Sequence, residues 1–232
     1  MCWNKEVSMF TFVVVLGVSY KLFKRNLPND RLLAFFIISY GSMQLFESLM
    51  WIGIDYNLDI INKIGSILAC LLLYLHPLAI ILGMKYDKLY KKYKDNFYYK
   101  VLFGVSILFA LFGIYNIVNY MYLNKSKSPY NFLSYPDTKN CHLVWDFPDH
   151  YILVLVIAII ISIFVFRENK IFWCIIMLYY FLPAIYVHST NKVSIKNKEK
   201  NYNGSYWCWF VAIFSFLLYF GNPRLQKTTK LN

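Results

Sequence analysis

Long apolar stretches separated by short polar segments run the length of the chain. Seven of them, Val7 to Phe23, Leu32 to Ile54, Ile64 to Met84, Val101 to Tyr122, Tyr151 to Phe166, Ile171 to Val187 and Tyr206 to Phe220, are nearly free of charge. Each is close to the length that carries a helix across a ~30 Å hydrocarbon layer. Lipid offers no water to backbone N–H and C=O groups, so each stretch satisfies its own groups as an α-helix. The pattern predicts an all-α integral membrane bundle of seven transmembrane helices, forming one domain over residues 1–232. The fifth and seventh stretches are short and call for little tilt or a locally thin bilayer. No small-residue cleavage pattern follows the first, which reads as a retained helix and not a signal peptide.

Composition strengthens this picture. Hydrophobic residues make up 59% of the 232 and charged residues 16%, more apolar surface than one aqueous core buries. The aromatic share of 20% suits many membrane–water boundaries. The formal charge of +12 does not point to nucleic acid, because the basic residues lie in short clusters between apolar runs. Fifteen of the 24 sit in linker one (Lys21, Lys24, Arg25, Arg31), linker three (Lys85 to Lys100), linker five (Arg167, Lys170) and the tail (Arg224, Lys227, Lys230). The positive-inside rule then puts the amino terminus outside and the carboxyl terminus in the cytoplasm. The lysines from Lys192 to Lys200 run against this orientation, while the sequons at Asn124 and Asn203 agree with it.

Two connections stand out. Linker three spaces Tyr86, Tyr90, Tyr93 and Phe97 as one helical face with lysines around the rest. That predicts either a helix lying on anionic lipid over residues 85–100 or a plain extension of helix three. The longest loop, Leu123 to Asp149, carries Pro129, Pro136 and Pro148 and is expected to be irregular, able to fold over the bundle as a lid.

Within the spans, Glu47 is the one acidic residue deep in an apolar run. A carboxylate there costs at least ~2.5 kcal/mol unless paired, hydrated or protonated, so it is expected to face the protein interior. Tyr40, Gln44, Glu47 and Trp51 recur at helical steps with Ser48 beside them, one polar and aromatic stripe. The stripe reads either as a substrate, ion or proton site or as a Glu held structurally by Gln44, a tyrosine or His76. His76 precedes Pro77, whose missing N–H frees the Leu73 carbonyl. It shares a face with Gly65, Ala69, Leu72, Ala79 and Gly83 and is expected to point at a neighbouring helix, as a structural residue or a ligand group. Helix four adds Asn116 and Asn119, helix six Tyr179, Tyr180 and Pro183, and helix seven Trp207 and Trp209. The pocket expected from these is in the outer half, lined by Tyr40, Gln44, Glu47, Trp51, His76 and Asn116.

Metal chemistry has little footing: His142, Asp146, Asp149 and His150 match no established spacing, and no cofactor motif is present. Cys141 can pair with either Cys2 or Cys208 in an oxidising compartment.

The opening Met1-Cys2-Trp3-Asn4-Lys5-Glu6-Val7-Ser8, with Met43-Gln44-Leu45-Phe46-Glu47 and Leu75-His76-Pro77, resembles a family of small multi-pass membrane proteins of microbes and large DNA viruses known only as a domain of unknown function. The resemblance covers the first three helices and implies no activity. Other seven-helix classes lack their required residues here. A retinal protein needs a lysine in helix seven, an alkaline-ceramidase-type hydrolase several deep histidines, and a G-protein-coupled receptor an acidic-Arg-Tyr end to helix three, where this chain has Gly83-Met84-Lys85. The repeat of a sugar-transporting seven-helix protein is not visible. The leading expectation is a non-enzymatic bundle that binds or conducts a small polar solute or ion. A receptor-like or scaffold protein with a basic cytoplasmic docking linker comes second and a membrane enzyme third.

Overall fold

A computed structural model of the protein describes residues 4–90, 95–123, 132–137, 142–144, 213 and 215–221. Four long helices, α1 (Lys5–Arg25), α2 (Asp30–Asp55), α3 (Asp59–Tyr86) and α4 (Phe97–Leu123), pack in chain order, each on the next. All four are long and apolar enough to cross a bilayer, which marks a membrane-embedded, multi-pass chain. Each runs about two to five residues past the apolar stretch that predicted it at one or both ends, because polar residues outside the hydrocarbon begin and end the helices.

Those polar residues are specific. The Asn4 side chain accepts from Val7 N at 3.0 Å and caps the start of α1. Asn26 ends it in the left-handed region (φ 53°), donating its N–H to the Leu22 carbonyl. Asn57 (φ 55°) closes α2 in the same way, with Leu58 N reaching back to the Gly53 carbonyl at 2.7 Å. The start of α2 has no cap of its own, and Asp87, just past the end of α3, supplies one. Its buried carboxylate accepts from Asn29 N and Arg31 N, both at 3.1 Å, from Leu32 N at 3.3 Å, and from its own neighbour Leu89 N at 2.9 Å.

This cap corrects the reading of linker three. α3 stops at Tyr86, residues 87–90 and 95–96 are not helical and α4 starts at Phe97, so the described part of 85–100 is neither one surface helix nor an extension of α3. Asp87 must leave helical geometry to reach the start of α2, and the chain turns with it. Tyr90 is buried in a core cluster with Leu22, Leu33 and Ile80, while Tyr86 stacks on Phe35 with ring centroids 5.7 Å apart.

Adjacent helices are antiparallel. Lys5 of α1 pairs with Asp55 of α2 at 2.8 Å, Gly53 of α2 meets Asn62 of α3, Gly83 of α3 meets Leu32, and Gly113 of α4 meets Tyr74. The molecule thus has an Asp55 end, holding Lys5, Asn57 and Leu123, and an Asp30 end, holding Arg25, Tyr86 and Phe97. Two thirds (67%) of the apolar window of α2 is buried against 33% for α1 and 28% for α4, so α2 is the hub.

At the Asp55 end, β1 (Tyr135–Asp137) and β2 (His142–Val144) form a short antiparallel ladder inside the loop expected to be irregular. Phe132 and Leu143 from this loop are buried in one cluster with Met50, Trp51, Cys70 and Tyr74. At the opposite end, residues 215–221 are helical, and Arg25 ties them to α1 by donating to the Tyr219 carbonyl at 2.8 Å. The stretches 151–166 and 171–187, both sequons, and Cys2, Cys141, Cys174 and Cys208 lie outside the described residues.

Candidate functional site

The stripe on α2 is buried from end to end. Glu47 and Ser48 are 0% exposed, Gln44 1%, Tyr40 4% and Trp51 8%. At 100° per residue these positions lie between the side of α2 that meets α1 through Gly41 and the side that meets α3 through Met50. α1 presents Ser8 and Thr11, both buried, on its own packed face. The Gln44 amide donates to Glu47 Oε2 at 3.4 Å, a long bond for a carboxylate acceptor. Ser48 instead bonds its own helix, donating to the Leu45 carbonyl at 2.7 Å.

α3 contributes His76, whose ring stacks on Tyr40 with centroids 4.0 Å apart and planes 29° from parallel. His76 is 2% exposed, and neither ring nitrogen has a hydrogen-bond partner among the described residues. Pro77 follows it inside the helix and cannot donate to the Leu73 carbonyl. The buried indole N–H of Trp51 likewise finds no acceptor among the described residues. No group of three metal-binding side chains is present among the described residues.

Compared with protein-family models, curated proteins and solved structures, the chain matches none. The site is therefore described by its own geometry.

Five of the six sequence-predicted residues line the α2–α3 region; Asn116 does not join them. Its side chain donates to the Phe112 carbonyl of its own helix at 3.0 Å, on the α4 face that packs against Tyr74. Tyr74 is two residues, or 200°, around α3 from His76, so the body of α3 separates Asn116 from the Tyr40–His76 stack. Depth divides the remaining five. Glu47 is eight residues, about 12 Å, from Asp55, whereas Tyr40 and His76 lie past the helix midpoints, nearer the Asp30 end. Trp51 and Glu47 occupy the Asp55 half, Gln44 the middle, and the stacked rings the level beneath them.

Two constellations escaped the sequence reading. Asn62 clamps the loop at Ser134: its Nδ2 donates to the Ser134 carbonyl at 2.8 Å and its Oδ1 accepts from Ser134 N at 2.9 Å, while the Ser66 and Ser134 hydroxyls are 2.7 Å apart. The pairing spans 72 residues, and only the i, i+4 spacing of Asn62 and Ser66 hinted at it. At the Asp30 end, Arg25 holds buried Asp30 through two bonds of 2.8 and 2.7 Å, and Leu27 N adds a third at 2.9 Å. Pro28-Asn29-Asp30 before an apolar run was the available signal.

Proposed function

We propose that the protein is a seven-helix membrane protein that binds or conducts a small polar solute or ion at a site centred on Glu47. One observation carries the reading: a fully buried carboxyl group lies two turns inside a helix long and apolar enough to span a membrane. Such a group is costly to keep without a purpose beyond packing. The solute enters from the Asp55 end, meets Trp51, Glu47 and Gln44, and then reaches the stacked Tyr40 and His76 rings, the narrow point of the path. The resemblance proposed to a family of unknown function, carried by Met1 to Ser8, Met43 to Glu47 and Leu75 to Pro77, includes the segments that hold Gln44, Glu47 and His76.

Topology supports the seven-helix part. Four crossings bring the chain to the Asp55 end at Leu123, yet Tyr219 packs on Arg25 at the Asp30 end, which asks for an odd number of further crossings. The apolar runs 151–166, 171–187 and 206–220 supply three. The Asp30 end presents exposed Lys21, Lys24, Lys85, Lys88 and Lys100, while its Asp30 and Asp87 carboxylates are buried. A surface this cationic suits the anionic cytoplasmic leaflet, with the amino terminus outside.

The test compares wild type with Glu47→Gln in proteoliposomes, measuring folded yield and the flux of a panel of small ions and polar solutes. The expected result is a mutant of near-normal yield whose flux falls by about tenfold or more, the loss expected when a charged contact worth about 1.4 kcal/mol or more is removed. Absence of flux in wild type together with a fall in mutant yield overturns the reading and makes Glu47 a structural residue.

A further inference from the structure

The lid over the Asp55 end is fixed in an unusual way. Phe132 in it is 1% exposed and meets Tyr120 of α4 edge-on, with centroids 4.9 Å apart. Its backbone is at φ 63°, a region that bulky side chains rarely adopt. Two residues on, Ser134 is held by the double Asn62 clamp and the Ser66 hydroxyl. The lid is thus an apolar plug in a strained backbone, tied down by bonds that water can replace on opening. Beneath the plug, in the same packed cluster, lies Trp51, a buried donor with no acceptor among the described residues.

We propose that Phe132–Ser134 is a gate at the Asp55 end, closed here and latched by Asn62 and Ser66, whose release opens the space above Trp51 and Glu47. The gate rests on the reading of that stripe as the solute site. Strain at Phe132 and a replaceable latch together make a segment that opens locally without unfolding the helices. Gly53 belongs to the same device. A Cβ there lies 2.6 Å from the backbone N of Asn62, so only glycine lets α2 come close enough to seat the latch residue.

Cys70 provides a reporter, since its free thiol is 2% exposed, shares the plug's cluster and lies one helical turn below Ser66. The experiment measures alkylation of Cys70 by N-ethylmaleimide in full-length protein in proteoliposomes, read by mass spectrometry of the peptide that carries it. Asn62→Ala is expected to raise the rate by about tenfold, the factor that losing a buried hydrogen-bonded clamp gives. The control Ser42→Ala, which removes a bond to the Ile38 carbonyl on α2, leaves the rate unchanged. The double variant Asn62→Cys with Ser134→Cys, once oxidised, is expected to label more slowly than wild type and to recover on reduction.

Unchanged Cys70 labelling in Asn62→Ala, or a crosslinked protein that labels as fast as wild type, overturns the gate. Should Asn62→Ala fail to fold, the crosslink alone decides. Flux separates the two claims: a crosslinked protein that still conducts sinks the gate and leaves the Glu47 site standing. A gate that responds in a protein without any flux sinks the solute reading and leaves the gate.

Discussion

Three buried carboxylates, Glu47, Asp30 and Asp87, sit in chemically different surroundings. Asp87 accepts four backbone N–H groups and Asp30 is gripped by the Arg25 guanidinium, so both are saturated and serve to join helices. Replacing Asp87 with Ala strips the start of α2 of its cap and leaves buried donors unmet, at an expected cost of about 2–4 kcal/mol. A thermal-unfolding scan of purified protein in detergent checks this: the melting temperature drops by several degrees, and an unchanged value contradicts the cap. Asp30→Asn breaks the forked Arg25 pair and is expected to cost about 2–3 kcal/mol, held below the fully buried range because Arg25 is partly exposed. The α2 stripe could be read from the sequence because one carboxyl in an apolar run, flanked at steps of three and four, leaves few alternatives. The separate location of Asn116 could not, since spacing along one helix does not say which neighbour that helix faces. The roles of Asp30 and Asp87 were equally hidden, because each contacts backbone that its own helix does not supply.

Close approach governs the packing between elements. A Cβ on Gly65 would stand 2.9 Å from the Phe46 carbonyl oxygen and 3.1 Å from Met50 N, atoms of α2 backbone that cannot swing aside. Gly104 on α4 has open space instead. Gly65→Ala is therefore expected to lower the yield of folded protein and the melting temperature, whereas Gly104→Ala is neutral or slightly stabilising, by up to about 1 kcal/mol from helix propensity. Size-exclusion profiles of the two variants, expressed side by side, decide the matter; equal loss in both refutes the α2–α3 contact. The four helices were legible as apolar runs because the hydrocarbon thickness sets their length. Their ends were not, since hydropathy is blind to Asn4, Asn26 and Asn57, whose side-chain cap or left-handed backbone marks a terminus. The surface helix or extension of helix three expected from linker three gave way for a related reason: Asp87 leaves the helix to cap α2, and Tyr90 is buried while Tyr86 and Phe97 are exposed.

For the whole molecule, everything functional depends on the two ends facing opposite sides of a bilayer, with the lid and latch at one and the lysine-rich collar at the other. The orientation proposed for these ends comes from the distribution of lysine and arginine, which reports on the leaflet and not on packing. How the long loop returns to Asn62 was not legible, because that depends on a contact 72 residues away. The most direct test introduces a cysteine at exposed Asn57 in the α2–α3 turn or at exposed Lys88 after α3. Each is labelled above the wild-type background with a membrane-impermeant maleimide in intact cells and after permeabilisation. Asn57→Cys is expected to label in intact cells and Lys88→Cys only after permeabilisation. Labelling of both from the same side contradicts α3 as a bilayer span, and with it the placement of Glu47 in a membrane interior.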